Sequence, residues 1–147
     1  MMQAMPRFEV TLTPPDLRPW LAGDGDIPGF VTCRAAAPGP RVLLLSLMHG
    51  NEFAGAIVLD RMLREGFLPT RGQVTLGFAN LDAFATFDPA QPTHSRFVDE
   101  DLNRVWDRAV LAGPGSSVEL RRKVCTVTAI TMSRMAIETR TSTIVNP

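Results

Sequence analysis

The sequence carries no excess of charge: fifteen Lys and Arg balance fifteen Asp and Glu, and neither sign gathers into a block. That excludes the basic face that nucleic acid or an anionic membrane would require, and it points to a small molecule as the partner. Cysteine is scarce. Cys33 and Cys125 stand far apart in no C-x-x-C or metal spacing, which excludes a disulfide framework and predicts two apolar core residues. No run approaches the roughly 18 apolar residues of a membrane helix. "MMQAMPRFEVTL" also lacks the charged and then apolar plan of a secretory leader, so a cytoplasmic protein is expected. What is present is a chain of 147 residues, 45% of them hydrophobic, enough for one compact domain.

The apolar residues are ordered by period. "FEVTL" (8–12) alternates as a half-buried strand does, and "FVTCRA" (30–35) is a second strand candidate closed by "APGP". "RVLLLSLM" (41–48) is apolar without a break, which predicts a central strand covered on both faces. From Glu52 the period changes. Phe53, Ile57, Val58, Met62 and Leu63 share one helical face, and Gly66 stands where a C-terminal cap belongs. "QVTLGFAN" (73–80) then reads as a strand, so residues 42–80 predict a βαβ unit with a parallel pair. Ligands of such sheets bind beyond the carboxyl ends of the strands, where His49 and Asn80 both fall.

Residues 81–115 hold no long periodic run, the mark of a functional loop region. Ser116 and Glu119 have the spacing of a capping box that opens a helix through "VELRRK". After Lys123, six threonines in 24 residues suit neither a continuing amphipathic helix nor a central strand. Residues 1–147 are therefore read as a single α/β domain, a mostly parallel or mixed sheet with flanking helices, with 124–147 an atypical tail.

Two segments carry chemistry. In "HGNE", His49 and Glu52 can offer an imidazole nitrogen and a carboxylate oxygen to one ion where a strand turns into a helix, and both suit zinc at about 2.0–2.2 Å. Gly50 would allow the turn and Asn51 stabilise it. The pattern is neither H-E-x-x-H nor H-x-x-E-H, because Phe53 fills the position of a second histidine. In "SRFVDEDLNRVWD" (95–107), Arg96, Asp101, Asn103 and Arg104 put two guanidinium groups and an amide in one loop, an arrangement suited to gripping a carboxylate.

Together the two segments resemble the succinylglutamate desuccinylase and aspartoacylase family over roughly residues 42–123. Its members are zinc-dependent deacylases on a carboxypeptidase-like α/β fold. The resemblance implies Zn2+ as cofactor, with His49 and Glu52 as two of its ligands. It implies Arg96 as the arginine that polarises the scissile carbonyl, Asn103 and Arg104 as the pair holding the substrate carboxylate, and Asp101 as the acid that orients the histidine. The implied reaction is hydrolysis of the amide in an N-acyl amino acid of the N-succinylglutamate or N-acetylaspartate type.

The family pattern continues with a third ligand, a histidine in a "DLH" segment, and a later glutamate as general base. Neither is found in this sequence. His94 lies in the loop and reads as solvent-facing, and the surroundings of Glu138 do not match. The domain is thus expected to be incomplete at its C-terminus, through truncation or a shifted reading frame, or else to have diverged into a catalytically inactive binder of small carboxylates. Self-association through uncovered sheet is expected with it.

Overall fold

Three strands form one mixed sheet: β1 (Phe30–Arg34), β2 (Arg41–Ser46) and β3 (Gln73–Phe78), in the spatial order β1-β3-β2. The computed structural model describes residues 10–24, 27–104 and 117–142. β2 runs parallel to β3, from Arg41 opposite Gln73 to Ser46 opposite Phe78, and between them the chain passes through α1 (Ala54–Arg64). This is the βαβ unit expected from the change of period. β1 pairs antiparallel with the other edge of β3, Phe30 facing Gly77. Among the described residues two further α-helices follow, α2 (Leu81–Ala85) and α3 (Val118–Ser142).

Strand alternation divides the core into two layers. Leu76 and Phe78 pack with Phe53, Ala56 and Leu59 of the α1 segment and with Leu47 and Leu81. On the opposite face, Phe30, Leu43 and Leu45 meet Cys125 and Ala129 of α3. Each fully buried large side chain in these layers contributes about 1.5–3 kcal/mol. Gly66 ends α1 at φ +71, where the amides of Gly66 and Phe67 donate to the carbonyls of Leu63 and Met62.

Several expectations require correction. β2 is not central: among the described residues it has one neighbour, and Val42 and Leu44 remain 40% and 37% exposed. An apolar run reports which faces need cover, not how many strands flank it. Of the expected helical face, Phe53 is buried and Ile57, Met62 and Leu63 pack against the core, but Val58 is 57% exposed, and Ala56 and Leu59 complete the buried face. One step of 100° beyond Ile57 carries Val58 out of the core arc. Of "FEVTL", residues 10–12 form no strand, and Phe8 and Glu9 lie outside the described residues.

The pattern change after Lys123 does not end the helix, because α3 continues to Ser142. Thr126, Thr128 and Thr131 donate their hydroxyls to the carbonyls of Arg122, Val124 and Val127, four residues back, which accommodates β-branched residues in a helix that propensity alone disfavours. Ser116 lies outside the described residues. The cap is Ser117, whose Oγ accepts from the Leu120 amide at 3.1 Å. Both cysteines are free and half-buried.

Candidate active site at the carboxyl end of the parallel pair

β2 stops at Ser46, and the chain reverses through Leu47 at φ +57, a left-handed conformation that costs a bulky residue about 1–2 kcal/mol. Strain of this kind concentrates at sites whose surroundings enforce it. The turn drives His49 inward until its side chain is only 4% exposed. Glu52 closes the turn by donating its amide to the His49 carbonyl at 3.1 Å. The helix begins only at Ala54, so Glu52 sits in the turn before it rather than in its first turn.

Gly50 serves this turn differently from the expectation. Its φ is not positive; instead, a Cβ there would lie 2.4 Å from Ala83 C, Phe84 N and Ser95 O. The absent side chain lets three backbone segments converge, and the Gly50 amide donates to the Arg96 carbonyl at 3.1 Å. The strand end is thereby stitched to the loop carrying the second motif. Asn51 does not fasten the turn through its side-chain oxygen, which is buried without a hydrogen-bond partner.

The loop brings Asp101, Arg96 and Asn103 to the imidazole. His49 Nε2 lies 2.9 Å from Asp101 Oδ1, and the Asn103 amide nitrogen stands 3.3 Å from the same ring nitrogen. A carboxylate only accepts, so in a neutral ring the contact with Asp101 favours the tautomer with its hydrogen on Nε2. Nδ1 is the other ring nitrogen. It is buried with no aligned hydrogen bond, although Glu52 Oε1 is only 3.0 Å away.

Arg96 spans both acids, Nη1 donating to Glu52 Oε1 at 3.2 Å and Nη2 to Asp101 Oδ2 at 3.3 Å. Asp101 also accepts the Asn103 amide at 2.9 Å, and its carbonyl takes the Arg104 amide at 2.8 Å, folding Leu102–Arg104 into a single 3-10 turn. Buried Leu102 anchors that turn against Ala79, Leu45 and Met48, while Asn103 and Arg104 stay exposed. Hydrogen bonding to His49, helped by the Asn103 amide and Arg96, holds the Asp101 carboxyl down at about 2.

These positions suit half of a zinc site. Nδ1 of His49 and a Glu52 oxygen are neighbours, and two ligands at about 2.1 Å in tetrahedral array would stand about 3.4 Å apart, close to the 3.0 Å seen. The carboxylate on the far nitrogen is the usual partner of a zinc-bound imidazole. Among the described residues, no group of three His, Cys, Asp or Glu side chains is placed so that all three could hold one metal ion. His94 is exposed in the loop, and the side chain of Glu138 lies outside those described.

One contributor escaped the sequence. Glu119, spaced as half of a capping box, does not turn back to its own helix; it is fully buried and reaches the site loop. No local pattern signals a partner some twenty residues away.

An imidazole flanked by two carboxylates thus stands at the carboxyl end of a parallel strand pair, where ligands of α/β proteins bind. The sequence comparison gives the class. Residues 38–142 match the succinylglutamate desuccinylase/aspartoacylase catalytic domain, and the chain belongs to that family. No curated protein matches the chain.

Proposed function

We propose that this hydrolase-family chain acts on the amide bond of an N-acyl amino acid, with His49 Nδ1 and Glu52 as two ligands of a Zn2+ ion. The observation that carries the reading is the buried Nδ1 without a hydrogen-bond partner, 3.0 Å from the Glu52 carboxylate, with Nε2 2.9 Å from Asp101. Zinc, when bound, supplies Lewis acidity and lowers the pKa of a bound water to about 7. Asp101 holds the imidazole in the tautomer that leaves Nδ1 free. Arg96 lies beside Glu52, where its guanidinium can face a developing oxyanion. Arg104 is exposed on the 3-10 turn and Asn103 beside it stands 3.3 Å from His49 Nε2, a pair suited to meeting a substrate carboxylate.

A second reading is favoured by one observation: among the described residues no third metal ligand joins the pair. In that reading the chain keeps the carboxylate grip without turnover. Titration of the 147-residue protein with Zn2+ and with N-acetylaspartate or N-succinylglutamate separates the two. The zinc reading requires an ion bound through His49 and Glu52. If Arg104→Ala left acyl amino acid binding unchanged, where loss of a charged hydrogen bond should cost about tenfold to a hundredfold, the grip would be wrong.

Two further proposals concern the chain's surroundings. No helix among the described residues is long and apolar enough to cross a membrane. The free thiols of Cys33 and Cys125 suit a reducing compartment, and we place the chain in the cytoplasm. The edge of β2 that has no strand neighbour among the described residues, with Val42 and Leu44 beside it, suits antiparallel pairing with a second copy of the chain.

A further inference from the structure

The segment between Arg96 and Asp101 has no regular structure, yet its backbone is held as firmly as a strand. Three successive amides point at one side chain: Val98 N donates to Glu119 Oε1 at 2.7 Å, and Asp99 N and Glu100 N donate to Oε2 at 3.0 and 3.3 Å. A fourth donor, Asn80 Nδ2, reaches Oε1 at 3.0 Å from the end of β3, while its own Oδ1 caps α2 through the Ala83 amide. The carboxylate is fully buried. Burial pushes its pKa up, and the four donors overcome that and leave it below the ordinary value.

The tie is reciprocal. The Asp99 carboxylate accepts the Val118 amide at 2.8 Å, and Ser117 donates its hydroxyl to Glu100. Loop acids thus satisfy the open N-terminus of α3, while an acid of α3 satisfies the open amides of the loop. An isolated helix cap needs only the first half of this exchange.

We infer that Glu119 is a positioning residue: by fixing the backbone of residues 98–100 it sets where Arg96, Asp101 and Asn103 stand relative to His49 and Glu52. What those residues do to a substrate rests on the proposed function; that Glu119 sets their geometry does not. Besides the side-chain bonds of Arg96, Asp99, Glu100 and Asp101, two points fasten the loop. Gly50 N to Arg96 O joins it to the strand end, and Leu102 anchors it in the core. Between those two points Glu119 supplies all three backbone bonds at Val98, Asp99 and Glu100.

Replacing it by glutamine keeps the shape but leaves one acceptor oxygen for two of the donors and aims an NH2 group at the other pair. Amide hydrogen exchange of the full chain reads the consequence without any ligand. In Glu119→Gln, exchange at residues 98–100 should rise roughly tenfold relative to Leu76 in β3, as loss of one charge-assisted bond implies. The amides of Gly50, Asn103 and Arg104 should follow. A core variant, Leu59→Ala, should instead raise Leu76 with the loop, as general destabilisation does. Should Glu119→Gln fail to fold, Asp99→Ala removes only the reverse bond to Val118 and should shift the same amides by a smaller factor.

The inference is overturned if residues 98–100 loosen while Gly50, Asn103 and Arg104 do not, since Glu119 would then anchor backbone without governing the site. It is equally overturned if every amide rises in proportion to Leu76. Failure of the wild-type chain to bind N-acetylaspartate counts against the proposed function alone, and the exchange pattern still decides the role of Glu119.

Discussion

Substitution of Gly50 by alanine tests the convergence on which the site is built. The added methyl carbon would stand 2.4 Å from Ala83 C, Phe84 N and Ser95 O, three backbone atoms of two separate segments. Ordinary carbon contacts lie at about 3.5–4.0 Å, so both segments would have to retreat by about 1 Å, and neither is a side chain able to rotate away. Overpacking costs about 1–3 kcal/mol where side chains can adjust. Here the upper end applies, about 3 kcal/mol, which for a chain of this size lowers Tm by about 6–12 °C. Retreat of the loop would also break the bond from the Gly50 amide to the Arg96 carbonyl. Gly66→Ala is the control: it meets nothing within 4 Å, and its φ of +71 costs a side chain only about 1–2 kcal/mol. Thermal unfolding followed by circular dichroism compares the two. If Gly50→Ala proved no more damaging than Gly66→Ala, the close approach of strand end, α2 and loop would be wrong.

Three other outcomes follow from the same geometry. Asp101→Asn should weaken zinc binding about 10–100-fold in calorimetry, because the imidazole loses the carboxylate that fixes its tautomer; unchanged affinity would remove Asp101 from that role. Glu119 has a lowered folded-state pKa, so its stabilisation is fully present above the ordinary value of 4.5 and is lost as pH falls below it. Urea unfolding between pH 3 and 7 should therefore show an acid limb that flattens in Glu119→Gln, and parallel limbs would contradict this. Leu44→Lys places a charge beside the β2 edge and should shift sedimentation towards monomer; undiminished association would mean that the edge is not the contact.

How much of this was legible in the sequence depends on distance along the chain. The β2-α1-β3 unit was readable because the period changes within a few residues and Gly66 marks the helix end. His49 at a strand terminus followed from that unit alone. Its meeting with Asp101, 52 residues on, was expected only through the family resemblance. Glu119 was misread because S-x-x-E is a local signature, whereas the four donors that claim the carboxylate come from residues 80 and 98–100. The edge position of β2 was hidden for a related reason: Val42 and Leu44 match Val74 and Leu76 in register and character, yet only the β3 pair is covered by the α1 layer. The threonine-rich stretch argued against a helix by propensity, yet the helix runs through it with three threonine hydroxyls bonded to carbonyls one turn back.

The central claim is that Nδ1 of His49, with Glu52, faces a metal position while Nε2 remains protonated towards Asp101. Nitrogen-resolved NMR of the two histidines during a Zn2+ titration tests this directly. The account predicts that His49 Nδ1 shifts on metal binding, that Nε2 keeps its proton, that His94 does not respond, and that Glu52→Gln weakens the effect. A response confined to His94, or metal bound at His49 Nε2 with loss of its proton, would contradict it.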